Sequence, residues 1–156
     1  MRTFFEQEYP KHEKSLFLIA LSYLHNTEDA RDVLQDAALA AYRSLDTLKN
    51  RAYFKTWLTR ILINKCKNFL KSQRQTEELR DDICLFANVP ETELEIVDAI
   101  CRMKREQAIY ISLRFYNDMS YDEVAKALKQ PVSTVKYRTR KALDELKTLL
   151  EGDVDT

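Results

Sequence analysis

A single glycine among 156 residues is too few for the frequent tight turns of an all-β sandwich, and three prolines add little. No glycine-rich phosphate loop can be built, since Gly152 stands alone. His12 and His25 are the only histidines, and no Ser, Cys or Asp is set beside either in a recognisable catalytic motif. Cys66, Cys84 and Cys101 are odd in number and widely spaced, which argues against a disulfide framework and against a Cys-x-x-Cys zinc site. Three buried or idle thiols in a reducing compartment are expected. No apolar run reaches bilayer length, and the opening MRTFFEQEYPKHEKS is too acidic and too broken for a signal peptide. The expectation is a cytoplasmic protein, not inserted in a membrane, with no catalytic, cofactor-binding or metal-binding residues.

Net charge is absent as well: 25 basic residues balance 25 acidic ones. The distribution is far from even. Residues 47–76 hold no carboxylate but carry Lys49, Arg51, Lys55, Arg60, Lys65, Lys67, Lys71 and Arg74. Residues 77–100 reverse the sign, with Glu77, Glu78, Asp81, Asp82, Glu91, Glu93, Glu95 and Asp98 against Arg80. Residues 126–141 are basic again. Screening confines a charge's influence to roughly 8–10 Å at physiological salt, so blocks matter more than totals. Two cationic blocks parted by an acidic one imply two binding surfaces for a polyanion.

The apolar residues recur at helical spacing. Phe17, Ala20, Leu21 and Leu24 predict a helix over 13–24. Asn26 or Thr27 can cap the next, with Glu28 and Asp29 at its positive end. Its inner face runs through Ala30, Val33, Leu34, Ala37, Ala38, Ala41, Tyr42 and Leu45 to about residue 48. Phe54, Trp57, Leu58, Ile61, Leu62, Phe69 and Leu70 predict a long basic amphipathic helix, interrupted near Asn64, with Trp57 in the core. Residues 72–93 lose the pattern and contain Pro90, as a linker would, with a helical turn near 83–86. Helical spacing returns from Leu94. The fold class expected is all-α: two small helical domains, 1–71 and 94–150, joined by the linker 72–93.

The segment MSYDEVAKALKQPVSTVKYRTRKALDEL, residues 119–146, has the pattern of a helix-turn-helix. Ser120 and Glu123 have the spacing of a capping box, Val124, Ala125 and Leu128 face inward, and Pro131 stops the first helix. Ser133 can cap the second, whose inner face is Val135, Thr139, Ala142, Leu143 and Leu146. Ser133, Tyr137, Arg140 and Lys141 point outward, with Lys136 and Arg138 on the flanks. Small and apolar behind, cationic in front, it suits a DNA groove. On its own this segment would equally serve a stand-alone transcriptional regulator that binds operator DNA.

Three stretches, DARDVLQDAALAAYRSLDTL, FKTWLTRILINKCKNFLKSQRQ and the helix-turn-helix, stand in an order that resembles the extracytoplasmic-function class of the sigma-70 family of bacterial RNA polymerase initiation factors. The resemblance spans residues 16–149. It implies that Asp32, Gln35 and Asp36 bind core RNA polymerase. It implies that Arg60, Asn64, Lys65, Lys67, Asn68 and Lys71 serve the minus-ten element, Asn64 holding a flipped base. Ser133, Thr134, Lys136, Tyr137, Arg138, Arg140 and Lys141 would then dock promoter DNA at minus thirty-five. An anti-sigma factor is an implied partner. Ala38 stands where the family often has Phe, Lys129 and Ser133 replace common glycines, and Tyr137 replaces a small Ser. Non-glycine residues resist a left-handed turn, so a different turn shape is expected at Lys129.

Overall fold

The structure is a computed structural model that describes residues 2–76 and 89–154, with backbone alone at 74–76 and 153–154. Every regular element among the described residues is helical: α1 (Arg2–Leu24), α2 (Thr27–Arg43), α3 (Phe54–Thr76), α4 (Leu94–Arg102), α5 (Arg105–Ile111), α6 (Tyr121–Leu128) and α7 (Val132–Val154). Short 3-10 turns stand at Leu45–Thr47, Arg51–Tyr53 and Glu91–Glu93, and a π-helical turn, Ser112–Tyr116, continues α5.

The first helix is longer than its apolar spacing predicts. It runs through Pro10, whose ring removes a backbone hydrogen bond, because aromatic packing holds the turn beyond it. Phe4 and Phe5 meet the Phe54 ring edge-on at 5.3 and 5.8 Å, and Phe5 meets Tyr42 at 5.4 Å. Farther along, every residue of LFLIALSYL, 16–24, is buried. A helix apolar on all sides belongs at the centre of a fold. Here it packs against α2 and α3 on one side and against α4, α5 and the π turn on the other.

Local rules set the next boundaries. Asn26 caps α2 as expected, its side chain accepting from the Glu28 and Asp29 amides at 3.0 Å each. The α-helix stops at Arg43, short of residue 48, where Ser44 donates to the Ala40 carbonyl at 2.7 Å and a 3-10 turn follows. The third helix is unbroken at Asn64, contrary to expectation. Asn is a weak helix former, not a breaker, and Leu58, Leu62, Ile63 and Cys66, all nearly or wholly buried, anchor the helix on both sides of it. It continues to Thr76. The helical turn expected near 83–86 lies outside the described residues.

Buried side chains from Phe5 to Ala142 form one continuous core, so the two sequence regions share their interior. Cys66 is a buried free thiol, and burial pushes its pKa up to about 12. Cys101 is disulfide-bonded. The expectation of three idle thiols is corrected accordingly: an odd count excludes full pairing, not one bridge beside a free thiol.

Candidate polymerase and nucleic-acid interfaces

Three helices present separate polar faces. On α3, Arg60, Asn64, Lys67, Asn68 and Lys71 are all exposed. At 3.6 residues per turn these positions fall within an arc of about 100°. The result is one stripe of cations and amides with no carboxylate in it. Lys65 lies off the stripe and is half-buried. Trp57 is also half-buried, its ring 6.0 Å from that of Phe54, in agreement with a packing role. Lys55, Thr56 and Arg60, nearer the helix start, reach the C-terminal half of the chain. Lys55 Nζ donates to the Asp118 carbonyl at 3.1 Å, Thr56 Oγ1 to Glu123 Oε2 at 2.9 Å, and Arg60 Nη2 to the Lys126 carbonyl at 3.4 Å.

The helix-turn-helix is built as its sequence suggests, with three differences. The capping box is complete: Glu123 N donates to Ser120 Oγ at 3.1 Å, and Ser120 N to Glu123 Oε1 at 3.0 Å. That backbone donor, with lesser help from Thr56, the Ser120 hydroxyl and Lys55, holds the Glu123 carboxyl below its ordinary pKa. The first difference is the turn. Lys129 takes φ 57 and ψ 48, the left-handed conformation that glycine would take, so the side chain does not change the turn's shape. The second is the start of α7. Val135 N donates to the Pro131 carbonyl at 3.1 Å, which places Ser133 inside the first turn instead of at the cap. The third is Leu143, expected inside but 37% exposed, while Val135, Thr139 and Ala142 are buried and Leu146 half-buried.

On the outer face of α7, Ser133, Tyr137, Arg140 and Lys141 are exposed, repeating the spacing of the α3 stripe. Lys136 is exposed beside them, its Nζ 5.9 Å over the Tyr121 ring, which also carries the Arg114 guanidinium at 5.0 Å. Thr134 is half-buried. Arg138 is engaged within the protein: Nη1 donates to the Tyr110 hydroxyl at 3.1 Å and lies 3.4 Å from Glu106 Oε1. Those contacts raise its pKa, the Tyr110 bond most, and tie α7 to α5.

The third face is acidic. Asp32, Gln35 and Asp36 are exposed on adjacent turns of α2, and Leu39, 49% exposed, continues their stripe. Ala38 is half-buried, so the exposed apolar group on this helix sits one position on. Arg31 turns away over the Phe17 ring at 5.6 Å, beside a cavity of about 490 Å³ bordered by Tyr9, Leu34 and Gln35. Among the described residues no group of His, Cys, Asp and Glu side chains could hold a metal ion, and no helix is long and apolar enough to cross a membrane.

Sequence reasoning missed the side chains that join the halves: Ser15, Ser22, Thr59, Ser112 and Asn117. They are isolated polar residues, far apart in sequence, and no spacing marks them.

Comparison with known proteins agrees with the arrangement. The pattern described as Sigma-70 region 2 matches residues 9–76, and that of Sigma-70, region 4 matches residues 93–146. The chain is 26% identical over 136 residues to RNA polymerase sigma factor SigV of Bacillus subtilis (strain 168), covering 85% of this chain and 82% of that one. It is 28% identical over 164 residues to the ECF RNA polymerase sigma-E factor of Escherichia coli (strain K12), covering 85% and 86%. Its fold matches the sigma factor RpoE in complex with the anti-sigma factor NepR from Bartonella quintana, with a TM-score of 0.75 at 23% identity over 94% of this chain and 96% of that one. It also matches CnrH in complex with the cytosolic domain of CnrY, with a TM-score of 0.67 at 26% identity over 96% and 88%. Both halves carry regions of one family in that family's order, and the chain belongs to the extracytoplasmic-function class of the sigma-70 family.

Proposed function

We propose that this chain is an RNA polymerase sigma factor with its work divided among the three faces. The acidic stripe of α2, Asp32, Gln35 and Asp36, binds core polymerase. The stripe of α3, Arg60, Asn64, Lys67, Asn68 and Lys71 with Lys65 beside it, holds the minus-ten element as it melts. The outer face of α7, Ser133, Tyr137, Arg140 and Lys141 with Thr134, Lys136 and Arg138 behind it, docks on minus thirty-five. Residues 1–71 and 94–150 are the two functional domains, with 72–93 between them. The polymerase supplies the chemistry and this chain catalyses no step. It works in the cytoplasm, and an anti-sigma factor restrains it.

The observation that carries this reading is the carboxylate-free stripe of α3, displayed on a different helix from the recognition face. A stand-alone regulator has no use for it. A few kcal/mol are needed to extrude a base from a duplex, and a shaped polar site beside a cationic track offsets that cost. Asn64 provides the amide, and Lys67 and Lys71 provide phosphate contacts on the same face.

Transcription from purified components tests the reading. With core polymerase, the chain is expected to start transcripts at discrete sites; a stand-alone regulator would start none. Replacing Arg140 and Lys141 by Ala together is expected to weaken binding at minus thirty-five and to flatten its log–log salt dependence by about two units, roughly one per lost phosphate contact. An unchanged slope would remove α7 from that role.

A further inference from the structure

One phenol hydroxyl holds α7 at two points. Tyr110 of α5 is 2% exposed, and its hydroxyl donates to Gln130 Oε1 at 2.5 Å and accepts from Arg138 Nη1 at 3.1 Å. Chemistry fixes the directions. A guanidinium can only donate, so the phenol proton goes to the Gln130 carbonyl oxygen. Gln130 lies in the turn before α7, where its own N–H donates to the Ala125 carbonyl at 3.0 Å. Lys129 ahead of it is left-handed at φ 57, and Pro131 behind it accepts the first bond of α7. Arg138 stands eight residues beyond Gln130, roughly 12 Å away at about 1.5 Å per residue. Glu106 adds a longer contact to Arg138 Nη1, at 3.4 Å, but that pair is open to water and such pairs hold little.

Two supports at separate points fix a helix's direction, where one would leave it free to pivot. Arg138 is also placed for support and not for a groove. At about 100° per residue it lies about 100° round α7 from Tyr137, outside the arc of Ser133, Tyr137, Arg140 and Lys141. Backbone phosphates accept a cation over a range of positions, whereas a base edge is read only by groups held close to one geometry. A loosened α7 would therefore lose discrimination before it lost attraction.

We infer that Tyr110 is a positioning residue for promoter recognition. Through Gln130 and Arg138 its hydroxyl sets the inclination of α7, and Arg138 supports the DNA-docking face from behind instead of gripping a phosphate. The inference rests on the proposed role of α7.

Holoenzyme assembled from core polymerase and the full chain tests it. Wild type first enriches its sites from a randomised duplex library. The enriched duplex, and the same duplex scrambled at minus thirty-five, then serve as probes. Tyr110→Phe removes one oxygen and with it both bonds. It is expected to bind the scrambled duplex as wild type does and to lose about tenfold in preference for the enriched one, roughly the worth of one base contact. If Tyr110→Phe loses helicity by circular dichroism, Arg138→Ala, at a surface side chain, carries the same test. Its preference is expected to fall likewise, with the log–log salt slope unchanged. A slope lower by about one unit would make Arg138 a phosphate contact and overturn the inference. So would unchanged preference in a folded variant, whether or not both affinities fall together. Wild type that enriches no sequence would sink the functional reading as well; enrichment without the Tyr110 effect sinks this inference alone.

Discussion

Lys129 holds a conformation that most L-residues avoid, with φ 57 at the end of α6. Its side chain is exposed, so the strain is not offset by packing. A left-handed residue other than glycine costs roughly 1–2 kcal/mol, less whatever the unfolded chain gains in freedom when glycine is introduced. Lys129→Gly is therefore expected to stabilise the protein by about 1 kcal/mol and to raise the midpoint of thermal unfolding, followed by far-ultraviolet circular dichroism, by about 2–4 °C. A fall in the midpoint would mean the turn relaxes in solution. The Asn26 cap was legible in the sequence because capping is settled within three residues. The turn at Lys129 was not: a neighbouring hydrogen bond, Gln130 N on the Ala125 carbonyl at 3.0 Å, and the packing of α6 on α7 impose it against local preference. Ser133 failed as a cap for a related reason, since the Pro131 carbonyl already accepts the first bond of α7.

At the scale of the element, α3 separates stability from function. Asn64 is exposed in mid-helix, where Ala has the better propensity by roughly 0.5 kcal/mol. Asn64→Ala is thus expected to leave thermal stability unchanged or slightly higher. In the same variant, permanganate footprinting of polymerase–promoter complexes should show clearly less melting at minus ten, while co-purification with core polymerase is unaffected. Equal loss of melting and of polymerase binding would return Asn64 to being one more polar residue on a helix. The stripe itself was legible, because exposure on a helix follows from spacing. The expected break in α3 was a misreading of one residue against a strongly periodic flank. For α1, the full apolar run LFLIALSYL carried a signal that four spaced residues understate: a helix with no polar side needs partners all around, and α4, α5 and the π turn supply them.

For the whole molecule, two cationic blocks and an acidic stripe could be read from one dimension, but the contact between the two halves could not. Ser15 and Asn117 are 102 residues apart, and Thr59 and Asn117 are 58 apart. Glu123 adds pH to that contact, since it caps α6 and accepts from Thr56 of α3. Its folded pKa lies below the ordinary 4.5, so the folded state binds this proton less readily than the unfolded state. Its contribution is then complete above about pH 4.5 and is lost as pH falls through the lowered folded value. His12 lines a cleft with Ser15, Lys55 and Asp118, and burial depresses its pKa. Its contribution is present above 6.5 and fades below it, in wild type and variants alike. Glu123→Gln keeps a side chain that can complete the capping box but cannot ionise. Denaturant unfolding of wild type and Glu123→Gln between pH 7 and 3 isolates the carboxylate. Wild type should be the more stable at neutral pH, both should decline in parallel below 6.5 as His12 charges, and the gap should close only below about 4.5. A gap that is constant across the whole range would mean that the Glu123 carboxylate does no more for α6 and its contact with α3 than a neutral amide does.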